Sequence, residues 1–273
     1  MFRIGILGAA DIAFNKFIPA LMKVEGVECA GVASNSPDKL KRFVEKYNVH
    51  VYSSYNEVIG DDSVDCVYIP LPPAFHYEWA KKALLAGKHV FLEKPSTTSA
   101  DDTKELVGIA GEKGLVVQEN YMFQFHAQLK EIENLIASGE LGKLRLVRTS
   151  FGFPRRAEGD FRYVKELGGG TMMDNGGYTI KLIDMLLGES MRLVSSQLDY
   201  DEKTGIDIFG TAEFVNDDGV IAQAAFGMDC QYQCSLELWG SRGRLTTGRI
   251  YTAPDGFKPV SYTHLTLPTN SLV

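Results

Sequence analysis

Through the first 120 residues, apolar runs of strand length alternate with helical stretches, and nothing else in the chain limits its fold so strongly. The runs are Phe2 to Leu7, Glu28 to Ala33, Asp65 to Ile69, Val90 to Leu92 and Leu115 to Gln118. Val90-Phe91-Leu92 has the continuous apolar character of a parallel strand buried on both faces. Helices are expected after Ala10, from Pro37 to Tyr47, from His76, and from Asp101 to Lys113. Pro19 should break or restart the first of them, because proline lacks the N–H a helix needs. This order predicts an α/β Rossmann domain, a doubly wound parallel sheet, with Asp65 to Ile69 counted as its fourth strand.

In such sheets ligands bind beyond the carboxyl ends of the strands. The first strand ends in Gly8-Ala9-Ala10-Asp11-Ile12-Ala13, with Gly8, Ala10 and Ala13 at the small-residue positions of a dinucleotide turn. Small residues let the backbone approach a pyrophosphate, and the following helix start offers N–H donors. Any tight strand-to-helix turn also needs small residues. After the second strand come Ser34, Asn35 and Ser36, with Lys39 a turn further on. No acidic residue waits there for a ribose 2′-hydroxyl, which favours NADP(H) over NAD(H), although the arginine expected beside a 2′-phosphate is also missing. Pro70, Leu71, Pro72 and Pro73 form a stiff loop that walls a nicotinamide pocket or is only a rigid turn, and His76 follows it. Gly87 to Pro95 delivers Glu93, Lys94 and Pro95 to the end of a buried strand, and Pro95 stops the pairing. A partly desolvated lysine there can hold a substrate hydroxyl and relay a proton, with Glu93 setting its charge and direction. On those residues alone, a solvated charge pair at a strand end is the simpler reading. Glu119, Asn120 and Tyr121 close the last strand of this half.

Beyond Tyr121 the pattern changes. A helix from His126 to Ser138 precedes a strand from Leu144 to Phe151, then a polar loop carrying Arg155, Arg156, Arg162 and Tyr163. Gly168-Gly169-Gly170 leads into a helix on which Asp174, Tyr178 and Lys181 fall within about 60° of one another. Met173, Ile180, Ile183 and Leu187 take another side, so the polar stripe points into a cleft or is simply solvated. Ile206, Ile208, Ala212 and Phe214 then alternate with polar residues, Asn216-Asp217-Asp218-Gly219 is a hairpin turn, and Cys234, Leu236 and Leu238 alternate before Gly240-Ser241-Arg242-Gly243. These features predict an α+β domain with an open, mainly antiparallel sheet.

The expected division is a dinucleotide-binding domain over residues 1–120 and a substrate and oligomerisation domain over 121–259. Residues 260–273 are expected to be foreign, because Val260 to Thr269 reads as a translated sequencing adapter; the second domain would then be incomplete. The net charge of −7 and the pI near 5.3 argue against a nucleic-acid or anionic-membrane surface. No apolar run approaches the roughly 20 residues of a membrane span. Four cysteines are too few for a disulfide scaffold, and Cys230 and Cys234 lack a second ligand pair, so no metal is expected. A cytoplasmic protein with reduced thiols fits these counts.

The glycine-rich turn, Pro70-Leu71-Pro72 with His76, Glu93-Lys94-Pro95, Glu119-Asn120-Tyr121-Met122-Phe123, and Gly168-Gly169-Gly170 through Asp174 to Tyr178 together resemble the Gfo/Idh/MocA family. Glucose–fructose oxidoreductase and inositol dehydrogenase are among its members. The resemblance spans roughly residues 2 to 250. It implies that Lys94 is the active-site lysine contacting substrate and nicotinamide ribose, that Tyr178 stands at the position of the catalytic histidine or tyrosine, and that Asp174 lines the same pocket. It places Gly8 to Ile12, Ser34 to Ser36, Lys39, Pro70 to Pro72, His76, Glu93, Lys94 and Asn120 around the cofactor. Tyr121, Arg162, Tyr163 and Lys181 fall on the substrate side, although many members carry an acidic or amide residue at the position of Lys181. Phe151-Gly152-Phe153-Pro154 and Asp160-Phe161-Arg162-Tyr163 are similar to the nucleotide-sugar 3-ketoreductases of the family, where arginines would suit a diphosphate. The implied reaction is hydride transfer between a nicotinamide and a sugar, polyol or nucleotide-sugar carbon. Tyr178 would be the acid/base, and Lys94 would lower its pKa. NAD-dependent glycosidases and nucleotide-binding regulators belong to the same family and are the alternatives. The open sheet face implies a homo-oligomer of the full-length protein.

Overall fold

The computed structural model describes residues 1–253 and the backbone of Tyr262–Leu265. The foreign stretch expected over residues 260–273 otherwise lies outside the described residues. The chain forms two compact units, one of residues 1–120 with 166–168, the other of residues 121–165 with 169–273.

The first unit is built on five parallel strands, β1 (Phe2–Leu7), β2 (Val27–Ala33), β3 (Cys66–Ile69), β4 (His89–Leu92) and β5 (Val117–Glu119), in the order β2-β1-β3-β4-β5. Cys66–Ile69 is therefore the third strand and not the fourth. Between it and β2 the chain makes the helix Pro37–Tyr47, a single bridge from Val51 to Val32 and the short helix Tyr55–Gly60, but no further strand among the described residues. The strands read as continuous apolar runs because both faces are covered. Ile4, Ile6, Ala13, Ile18, Leu40, Phe43 and Tyr68 pack together, and Leu7, Val67, Ile69, Leu84, Leu92 and Leu106 belong to a second cluster. Of the two outcomes expected at Pro19, the helix restarts there. The chain widens into a π turn over Ala13–Phe17 and continues through Ile18–Leu21, with the proline in the first turn where its missing N–H is tolerated.

The second unit carries β6 (Leu144–Gly152), β7 (Arg192–Tyr200), β8 (Asp207–Val215), β9 (Ile221–Gly227), β10 (Gln233–Gly240), β11 (Gly243–Thr247) and β12 (Tyr262–Leu265). They lie in the order β12-β11-β10-β6-β9-β8-β7, antiparallel throughout except for the central parallel pair β6–β9. One sheet face packs against helical residues in a core that includes Leu129, Ile132, Tyr178, Leu182, Ile183, Val147, Phe226 and Leu236. β7 has no counterpart in the sequence reading: it is an edge strand, exposed along nearly its whole length, so no apolar alternation marks it.

The helix after the glycine triplet departs from the expected wheel. It opens with a π turn, Met172–Gly176, before the regular Gly177–Leu187 stretch. An extra residue in one turn rotates everything after it, so a uniform 100° per residue misplaces the faces. Tyr178 lies on the buried side with Leu182 and Ile183, whereas Ile180 and Leu187 are only half-buried.

Candidate active site

In the first unit the glycine-rich turn is held by a hydrogen bond from the Gly8 N–H to the Ala33 carbonyl, 2.8 Å. Gly8 has φ +118, and a Cβ there would stand 2.9 Å from Leu71 Cδ2. Only glycine meets both conditions, which brings the Pro70-Leu71-Pro72 loop down onto the turn. Ala9 and Ala13 are buried, Ile12 is half-buried, and Asp11 is exposed at the start of the helix. A turn of small residues opening a helix fits a dinucleotide pyrophosphate. At the end of β2, Ser34 is half-buried and Asn35, Ser36 and Lys39 are exposed; the Ser36 N–H donates to Ser34 Oγ at 3.1 Å.

An arginine of the helix Pro37–Tyr47 reaches back to the turn after β1. Arg42 pairs with Asp11 at 2.7 Å and donates to the Ala9 carbonyl at 3.3 Å. Its guanidinium lies over the Phe14 ring at 4.6 Å. The sequence signal was slight, one of four cations on this helix with Lys39, Lys41 and Lys46.

At the end of β4, one Glu93 carboxylate oxygen accepts from the Tyr68 hydroxyl and from Asn120 Nδ2, both at 2.7 Å. Burial and the facing carboxylate push the Tyr68 phenol far above its ordinary pKa, so it remains a donor. Tyr68 of β3 and the residues just after β4 and β5 thus fix the base of the turn that carries Lys94. The Lys94–Pro95 bond is cis, and the Ser96 N–H donates to the Glu119 carboxylate at 2.8 Å. His76, expected against the cofactor, is instead fully buried beneath the loops. Its Nδ1 lies 2.8 Å from the Pro95 carbonyl oxygen and its Nε2 2.7 Å from that of Leu71. It braces the two loops from below.

In the second unit, Asp174 and Tyr178 stand on the helix that begins at Thr171. Gly170, at φ +121, abuts the Asp207 carboxylate so closely that a Cβ would collide with it. That carboxylate accepts from the Met172 N–H at 2.7 Å and so caps the helix start. Asn175, fully buried, donates to the Phe151 carbonyl at 2.7 Å and the Gly227 carbonyl at 2.8 Å, locking the π turn to β6 and β9. Sequence reasoning missed both Asp207 and Asn175, which have no local motif. Tyr178 is buried among aromatic rings, 4.8 Å from Tyr121, 5.1 Å from Phe151 and 5.7 Å from Tyr251 between centroids. Lys181 is half-buried.

The arginine loop is less available than its composition implies. Arg162 Nε donates to Asp174 at 2.7 Å and Nη1 to Asp160 at 3.1 Å. Burial works against its charge, but the Asp174 and Asp160 carboxylates outweigh that and raise its pKa. The Arg162 fork, expected on a diphosphate, is therefore engaged within the chain. Arg155 pairs with Asp201 at 2.8 Å and Asp229 at 3.3 Å. The Tyr163 hydroxyl is also engaged, donating to the Met228 carbonyl and accepting from the Arg156 N–H at 3.0 Å. Arg156 itself is exposed, its guanidinium stacked on Phe153 at 4.8 Å. Among the described residues, no group of three or more His, Cys, Asp or Glu is placed to hold a metal ion, and no helix is long and apolar enough to cross a membrane.

A parallel sheet with a glycine turn and a charged loop at its strand ends, and a mixed open sheet bearing an Asp–Tyr helix, define a two-unit dinucleotide-dependent oxidoreductase. Residues 2–121 match the oxidoreductase family with an NAD-binding Rossmann fold, and residues 129–246 match the GFO/IDH/MocA C-terminal domain. The chain belongs to the Gfo/Idh/MocA oxidoreductase family. It is 37% identical over 258 residues to the dTDP-3,4-didehydro-2,6-dideoxy-alpha-D-glucose 3-reductase of Saccharopolyspora spinosa, covering 94% of this chain and 78% of the relative. It is 32% identical to D-xylose 1-dehydrogenase (NADP(+)) 2 of Haloferax volcanii, covering 98% of this chain and 81% of that protein. A solved structure of KijD10, a 3-ketoreductase from Actinomadura kijaniata in complex with NADP and TDP-benzene, superposes with a TM-score of 0.94 at 36% identity, over 97% of this chain and 81% of KijD10. Other KijD10 structures replace a lysine by alanine or glutamate, or a tyrosine by phenylalanine.

Proposed function

We propose that the protein is an NADP(H)-dependent reductase of a keto group on a nucleotide-activated sugar, with residues 1–120 serving the cofactor and 121–259 the sugar. One observation carries the reading. The lysine and tyrosine replaced in the KijD10 variants stand as far apart in that chain as Lys94 and Tyr178 do here. Both residue types are thus retained at matching separation in a chain of closely similar fold.

When bound, the dinucleotide supplies the hydride. The chain does the rest. The Gly8 turn and the helix start after it hold the pyrophosphate through backbone N–H groups. Glu93, pinned by Tyr68 and Asn120, fixes the turn from which Lys94 reaches the sugar oxygen and stabilises negative charge on it. The Tyr178 hydroxyl donates the proton that completes the alcohol, and the reverse reaction returns it. Asp174, tied to Arg162, lines the sugar side. A second copy of the chain is the partner we assign to the open face of the second sheet.

The test follows absorbance of the reduced nicotinamide with dTDP-linked keto sugars and with free sugars. Lys94→Ala is expected to remove most turnover, and Tyr178→Phe to lower it by about 10²–10⁴-fold, the range of general acid–base groups. Near-native rates in both variants would overturn the assignment. Turnover of free sugars alone would overturn the substrate class.

A further inference from the structure

The Asp11–Arg42 pair is an odd use of an arginine. Arg42 lies on the Pro37–Tyr47 helix, yet its guanidinium reaches back to the turn after β1. The place it reaches is defined by pairing: the Gly8 N–H bonds the Ala33 carbonyl at 2.8 Å, so the Gly8–Ala9 turn adjoins the end of β2, where Ser34 begins the exposed polar segment. Arg42 donates to the Ala9 carbonyl at that junction. Lys39 precedes it by one turn of the same helix, and Lys46 follows by one, its ammonium over the same Phe14 ring at 4.7 Å. Three cations therefore line one side of this helix.

Two details show that the guanidinium is poised and not saturated. Arg42 Nε is buried and has no hydrogen-bond partner among the described residues. Its partner carboxylate, Asp11, has an 80% exposed side chain and pairs through one oxygen at 2.7 Å. An exposed carboxylate held by one bond gives way readily, because surface ion pairs contribute little. A phosphate monoester offers three acceptor oxygens and up to two charges to the same fork.

We propose that Arg42, with Lys39, is the 2′-phosphate-binding pair of this protein, and that Asp11 holds the guanidinium in place until the phosphate displaces it. Selectivity for the phosphorylated dinucleotide then comes from the helix and not from the loop after β2, where Ser34, Asn35 and Ser36 supply only neutral donors. The stacking of Arg42 on Phe14 keeps its fork in one orientation, so little side-chain freedom is lost on binding. The inference rests on the cofactor reading above.

Binding, read by quenching of intrinsic fluorescence, tests it without turnover. Arg42→Gln keeps a stem over Phe14 and is expected to weaken NADPH by about ten- to a hundredfold, the scale of a lost charge-assisted phosphate contact, while leaving NADH within about twofold. Unchanged NADH binding also shows that the variant is folded. Asp11→Asn is expected to tighten NADPH more than NADH, and 2′,5′-ADP should compete more strongly than 5′-AMP in the unaltered protein and equally in Arg42→Gln. If the unaltered protein binds NADH more tightly than NADPH, the cofactor reading itself fails. If it prefers NADPH and Arg42→Gln leaves that preference unchanged, this inference alone is overturned.

Discussion

A histidine with no solvent exposure must place both ring nitrogens inside the protein, and His76 places them against the backbone carbonyls of Pro95 and Leu71. Burial pushes its pKa below the ordinary value, and the Pro95 and Leu71 carbonyls and the Glu93 charge oppose that shift without overcoming it. A neutral imidazole carries one N–H and donates to one of the two carbonyls at a time, and a leucine there would leave that carbonyl buried without its donor. His76→Leu is expected to lower stability by about 1–3 kcal/mol, the cost of a stranded buried acceptor. Urea unfolding followed by circular dichroism reads the change, and an unmoved midpoint would show that the brace contributes nothing. Residues of this kind mark the limit of what the sequence discloses. The placement of Glu93 and Lys94 at a strand end and of Tyr178 on a glycine-led helix was legible because both are local signals. The commitment of Arg162 to Asp160 and Asp174 was not, and neither was the reach of Arg42 across 33 positions to Ala9.

At the scale of elements, the strands and helices of the first unit were readable from apolar continuity, whereas the helix that carries Asp174 and Tyr178 was readable in extent and wrong in face. Its π turn depends on tertiary contacts from Asn175 and Asp207, which lie outside any helical period. Asp207 acts as a cap supplied from β8. Removing it in Asp207→Ala should cost about 0.5–2 kcal/mol, as lost caps do, with Asp207→Asn costing less. Equal denaturant midpoints for Asp207→Ala and the unaltered protein would dismiss the cap. The arginine loop gives a second check. The Asp201 carboxyl is held down to about 2, first by its bond from Arg155 and then by the Thr204 and Lys203 N–H groups. A depressed carboxylate stabilises the fold above its unfolded pKa near 4, and that contribution fades as pH falls toward the folded value. In Arg155→Ala the Asp201 carboxyl should titrate higher, and a carbon-13 titration that leaves it in place would sink the pairing.

For the whole molecule, the open face of the second sheet asks for a cover. Strand register places Trp239 beside Leu146, Leu146 beside Ile221 and Ile221 beside Val215, one apolar row across four strands. Trp239 is 55% exposed and Ile221 41%, more than isolated surface residues need explain when they stand in line. The adjacent row runs Glu237, Arg148, Gln223 and Glu213, and its members answer one another. Arg148 donates to Gln223 at 3.0 Å, Gln223 to Glu213 at 2.9 Å, and Arg244 pairs with Glu237 at 2.6 Å. With its charges satisfied inside one chain, the face brings little like-charge repulsion against an identical face. A two-fold interface is the arrangement in which one patch meets itself. The protein is therefore expected to sediment as a dimer at micromolar concentration. Ile221→Lys sets two like charges near the axis of such an interface and should shift it to monomer with its circular dichroism unchanged. A monomer in the unaltered protein, or a variant that sediments as before, would show that the open face is not where copies meet.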